Sequence, residues 1–147
     1  MEKIKVEVWS DMVCPYCYLG KRKLQKAIRM LQLEKQVEVV WHSYQLDPGF
    51  PLHRSIPSSL YLTQKGYPEG QLRGMQQQLS ERGRPYGISF DFEQSLYFNT
   101  FDAHRLWQWS KVSGLANEFK EAVFAAHFSA GIDLSDPGEL IRVAAQA

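Results

Sequence analysis

Cysteine is scarce in this chain, which holds only Cys14 and Cys17. Two are too few for the disulfide framework of a small secreted domain, and cytosolic glutathione keeps ordinary thiols reduced. Long apolar runs are also missing: none approaches the ~20 residues of a membrane span. Residues 1–8 alternate charge with Ile or Val and have no signal-peptide core. These absences predict a cytoplasmic protein with no membrane partner. Charge of one sign is not in excess either, with 17 Lys and Arg against 16 Asp and Glu and a formal net charge of +1. That balance lacks the cationic surplus needed to neutralise a run of phosphates, so nucleic acid is not an expected partner. What is present is apolar and aromatic: 44% hydrophobic and 13% aromatic residues in 147, enough for one globular domain with a sizeable core.

Residues 3–9 alternate Lys3, Ile4, Lys5, Val6, Glu7, Val8 and Trp9, the period of a half-buried strand. From Pro15 the spacing becomes helical, with Leu24, Ala27, Ile28 and Leu31 on one face. Lys21, Arg22, Lys23 and Lys26 read as a solvated basic surface. Residues 36–43 alternate again and end before the turn-forming Asp47-Pro48-Gly49. A strand, helix and strand of these lengths make a right-handed βαβ unit. Residues 57–146 show no further strand pattern, and helices are expected at 57–65, 69–83, 100–113, 115–130 and from 136 onward. Gly114 and Gly131 suit helix ends, and Asp136-Pro137 suits a helix start. The segment from Gly83 to Phe98 reads as loop. The expected organisation is 1–50 as a βαβ half-domain and 51–147 as a helical insertion. Two parallel strands alone make a poor sheet, and the apolar pattern still runs at Ala147. The expectation is therefore a truncated sheet, or one completed by another copy as a homo-oligomer.

Ser10-Asp-Met-Val-Cys14-Pro15-Tyr16-Cys17 leaves a strand and enters a helix, which puts Cys14 among the free amides of the helix N-terminus, where a thiolate is favoured. Pro15 lacks only an N–H that would go unused. The spacing brings Cys17 within reach, so Cys14 is the expected accessible nucleophile and Cys17 the buried resolving thiol. Half a zinc site has the same spacing, as does an inert buried pair. A structural zinc needs four ligands, however, and no second cysteine pair exists to supply them, so no metal is expected. The βαβ context favours redox chemistry.

Trp-Ser-Asp-Met-Val-Cys-Pro-Tyr-Cys-Tyr-Leu-Gly at 9–20 resembles the DsbA-like thioredoxin-fold family, in particular its cytosolic FrnE-like branch. The segments from Trp41 to Pro48 and from Asn99 to Leu106 resemble that branch as well. The resemblance implies an α/β thioredoxin-like fold carrying a large all-helical insertion, with the C-terminal strands, final helix and cis-proline loop of the family absent from this chain. It implies thiol–disulfide oxidoreductase or isomerase activity through Cys14 and Cys17, with Pro15 and Tyr16 tuning the redox poise. The implied partners are protein or small-molecule disulfides and thiols. No cofactor is implied beyond the redox-active disulfide, with glutathione as a candidate co-substrate. The glutathione-dependent kappa-class transferases and hydroxychromene-carboxylate isomerases share the layout, but typically carry Ser in place of the first cysteine and lack the second. A non-catalytic zinc-binding or interaction fragment is a third alternative.

Two further residues are candidates for a supporting or substrate-binding role. His104 stands on the helix after Asn99, where it either approaches the thiols across a cleft or is a hydrogen-bonded structural residue. Asn99 suits a helix cap or a substrate contact. Tyr16, Phe90, Phe92, Tyr97, Phe98 and Phe101 are expected in an apolar groove or in the core.

Overall fold

A computed structural model of the protein describes residues 2–147. Strand β1 (Ile4–Ser10), helix α1 (Pro15–Met30) and strand β2 (Val37–Ser43) form the expected βαβ unit, with β1 parallel to β2 from Ile4 opposite Val37 to Ser10 opposite Ser43. The alternation is realised: Val6 and Val8 turn inward to half-buried positions, Ser10 is buried, and the residues between them are exposed.

The basic side of α1 is not a solvated surface. Lys21 is only 2% exposed and Arg22 is half-buried, whereas Ala27 and Leu31 on the apolar stripe are exposed. A two-stranded sheet is too narrow to cover that stripe. On the opposite side, the later helix α5 (Ala116–Phe128) offers Glu121 and Asn117 to the cations. Lys23 and Lys26 do remain exposed.

A second correction concerns the segment expected to be free of strands. Strand β3 (Ser55–Pro57) pairs antiparallel with β4 (Leu96–Phe98), with Ile56 opposite Tyr97. Three residues are too few to display a period, and the pairing joins positions about forty residues apart, so local pattern reading misses it. Pro57 fits because its missing N–H is tolerated at a sheet edge. Helices α2 (Ser58–Gln64) and α3 (Glu69–Gly83) follow β3, and a short 3₁₀ turn at Arg84–Tyr86 occupies part of the expected loop. Helices α4 (Phe101–Val112), α5 and α6 (Pro137–Gln146) complete the chain.

The helix ends follow sequence logic. Gly114 has φ +70°, and Asp136 accepts from the Gly138 amide at 2.8 Å ahead of Pro137. Gly131 is constrained twice, since its φ is +62° and a Cβ there would sit 2.6 Å from Gln94 Cβ. Met12 and Val13, just before α1, pack with Phe98, Trp107 and Val123 in one buried cluster. Tyr18 and Leu19 pack with Leu79, Ile88, Phe124 and Phe128 in another. The turn carrying Cys14 is thus gripped from both sides by residues of the later part of the chain. No helix among the described residues is long and apolar enough to cross a membrane.

Candidate functional site

Cys14 is the N-cap of α1, in extended conformation, and its Sγ accepts the Cys17 amide at 3.3 Å. Pro15 occupies the first helical turn. Both cysteines are free thiols and both are half-buried, so the expected contrast of an open Cys14 and a closed Cys17 is absent. The two thiols act on each other's titration. Cys17 is brought down to about 6, first by the hydrogen bond from the Cys14 thiol, against the effect of burial. The Asp11 amide, the otherwise unpartnered Ser10 hydroxyl and the positive charge of Lys120 act in the same sense. Cys14 is raised, because it retains the shared proton and is partly desolvated. The two thiols thus titrate as one coupled pair, whose first proton is lost below the ordinary thiol range. Three favourable groups converge on the second sulfur.

The two sulfurs open onto different spaces. Cys14, Pro15 and Tyr16 line an apolar cleft of about 340 Å³, walled by Tyr61, Met75 and Tyr97 among others. Cys17 lies in a separate recess with Val8, Ser10, Lys21 and Trp41. Of the expected groove aromatics, Tyr16, Phe92 and Tyr97 line the cleft, whereas Phe98 belongs to the core and Phe101 is exposed. Burial and the neighbouring Tyr61 push the Tyr97 hydroxyl well above the usual phenol range.

His104 does not face the cleft. Its Nε2 donates to Asp11 Oδ1 at 2.9 Å, and both side chains are buried. Asp11 also accepts from the Met12 amide at 2.7 Å and from the Leu46 amide at 2.8 Å. Burial opposes the Asp11 carboxylate, but the bonds from His104, Leu46 and Thr100 prevail and hold it below the usual carboxylate range. The pair thus clamps the turn three residues before Cys14 onto α4 and the loop after β2. Asn99 bridges in the same area: Oδ1 accepts from the Phe101 amide at 2.9 Å, and Nδ2 donates to the Phe50 carbonyl. It caps the start of α4 and ties down residues 48–50.

Residue-level reading of the sequence passed over Lys120 and Glu121. Lys120 is buried at 1% exposure. Its signal was a lone cation within the apolar Phe119–Phe124 stretch of a helix that buries most of its length. Among the described residues, no three His, Cys, Asp or Glu side chains gather in a way that would hold a metal ion.

This arrangement agrees with comparisons to known proteins. The family model of the DSBA-like thioredoxin domain matches residues 5–147, and the chain belongs to that family. It is similar to the uncharacterized protein YwbO of Bacillus subtilis (strain 168), with 27% identity over 145 residues, 96% of this chain and 64% of YwbO. Its fold is similar to the crystal structure of a probable DsbA oxidoreductase, SCO1869, from Streptomyces coelicolor, at a TM-score of 0.90 and 29% identity. That match covers 97% of this chain and 62% of the other. The chain thus spans a little under two thirds of the length of each relative.

Proposed function

We propose that this chain carries the redox site of a cytoplasmic thiol–disulfide oxidoreductase of the FrnE-like type, acting on protein or small-molecule disulfides and thiols without a dissociable cofactor. The observation that carries the reading is the placement of Cys14 Sγ, which both receives the Cys17 amide and lines the apolar cleft. A substrate disulfide entering the cleft meets Cys14. The shared proton passes to Cys17, the Cys14 thiolate attacks one substrate sulfur, and the second leaves as a thiolate that takes a proton from solvent. Cys17 then loses its proton to solvent and attacks Cys14 Sγ, and the first substrate sulfur leaves as a thiolate that takes a proton from solvent. One substrate disulfide has become two thiols, and the cysteine pair has become a disulfide. Pro15 and Tyr16 set the poise from the cleft wall.

The test is to incubate reduced Cys17→Ser protein with glutathione disulfide and weigh the product. The reading expects a stable glutathione adduct on Cys14, and no lasting adduct on the native chain, which closes its own disulfide. Absence of an adduct on Cys14 in the variant overturns it.

A further inference from the structure

Lys120 is a cation without a conventional partner. Its Nζ is buried and makes no hydrogen bond, lying instead over the faces of Trp107 at 4.1 Å and Trp41 at 4.6 Å. It lines a cavity of about 410 Å³ together with Trp41, Trp107, Lys21, Lys111 and Asn117. Lys21 and Trp41 also line the recess that holds Cys17, so the two spaces adjoin. An unpaired ammonium is costly in such a place unless an anion balances it. Trp41, whose ring lies under Lys120 Nζ, also lines the recess of Cys17, and the charges that act on Lys120 are those of Cys17, Lys21, Lys111 and Asp11. Lys21 is held by Glu121 and Asn117, Lys111 donates to the Trp41 carbonyl, and Asp11 is committed to His104. Cys17 is the one potential anion in this set with no cation of its own.

We propose that Lys120 is the buried counter-cation of Cys17, a positioning residue that supports the Cys17 thiolate in the step that closes the disulfide. The proposal deepens the disulfide-exchange reading and rests on it. In that step one S–H bond breaks at Cys17 and its proton leaves to solvent, while Lys120 stays protonated beside the new thiolate. Bond formation to Cys14 then discharges the anion and releases the substrate thiolate. Burial pulls Lys120 down to about 7 and the Cys17 charge pulls it back up, so its own titration responds to the redox state of the pair.

The decisive experiment follows iodoacetamide alkylation of Cys17 against pH in a Cys14→Ser background, where no proton is shared. Adding Lys120→Met is expected to raise the alkylation midpoint by about one pH unit, and Lys120→Arg to restore most of it. An unchanged midpoint in the folded Lys120→Met protein overturns the proposal. A second measurement needs no variant. Lysine ¹³Cε NMR should find the Lys120 midpoint lower in the oxidised protein than in the reduced one, and equal midpoints contradict the proposal. If the native chain forms no mixed disulfide at all, exchange fails as a function while these titrations still decide the role of the lysine. If exchange occurs, Lys120→Met should slow closure of the mixed disulfide about tenfold at pH 7.

Discussion

Lys21 on α1 and Lys120 on α5 are both buried, yet the protein treats them differently. Lys21 donates to Glu121 Oε1 at 2.6 Å and to Asn117 Oδ1 at 2.7 Å, and Arg22 binds the other Glu121 oxygen at 2.8 Å. Burial works against the Glu121 carboxylate, but the bonds from Arg22 and Lys21 outweigh it and hold Glu121 below its usual range. One residue earlier on the same helix, Lys120 Nζ makes no hydrogen bond and lies over the faces of Trp41 and Trp107. The first arrangement satisfies every charge and fastens α1 to α5. The second leaves a charge unsatisfied beside the thiols. A fully partnered buried ion serves architecture, and an unpartnered one marks a place where local cost is tolerated for chemistry.

Removing the anion from the partnered cluster should have the largest effect on stability. Glu121→Ala leaves Lys21 and Arg22 uncompensated, and is expected to cost about 2–3 kcal/mol in urea denaturation, after allowing for the partly exposed carboxylate. The native cluster should fail in acid for the same reason. Because the folded Glu121 titrates below its unfolded value, its contribution is complete above about pH 4.5 and is lost as pH falls through the lower native value. A Glu121→Ala protein should therefore lose less further stability between pH 5 and pH 3 than the native chain.

The unpartnered site should respond with the opposite sign. In the oxidised protein, where no thiolate is present, Lys120→Met is expected to raise stability by about 1–2 kcal/mol at pH 7. The sign follows from linkage. Lys120 titrates at about 7 in the reduced fold and lower without the Cys17 thiolate, against 10.5 in the unfolded chain, so between the native and unfolded values the unfolded state binds more protons and native stability rises with pH. The advantage of Lys120→Met should therefore be greatest below the native midpoint, shrink as pH rises from there, and vanish by about pH 10.5. A loss of stability at pH 7 would break the contrast between the two lysines. Lys111 sharpens it at the small end: exposed and bonded to the Trp41 carbonyl, it should give Lys111→Ala a change within about 0.5 kcal/mol.

The features legible in the sequence are the ones decided locally. Cys14 at a strand-to-helix turn, Pro15 in the first helical turn, the left-handed Gly114 and the Asp136 cap each depend on a few neighbouring residues. The Cys14–Cys17 spacing and the surrounding motif carried the family by themselves. Features decided at long range were misread or missed. Lys21 looks solvated until α5, about a hundred residues later, brings Glu121 against it. The β3–β4 pair is too short for a period to show. His104 was open between a cleft role and a structural one until the fold set it on Asp11. The expectation at Cys14 rested on the helix N-terminus alone, and the support that Ser10, the Asp11 amide and Lys120 give to charge at Cys17 comes from the fold.

The central claim is that Cys14 and Cys17 form a thiol pair primed for exchange. The most direct test is the pH dependence of iodoacetamide alkylation on the reduced native chain, resolved at each cysteine by mass spectrometry. The account predicts a first reactive midpoint near 6 that both cysteines follow through their shared proton. Two independent thiols reacting alike at the free value of ~8.5 would contradict it.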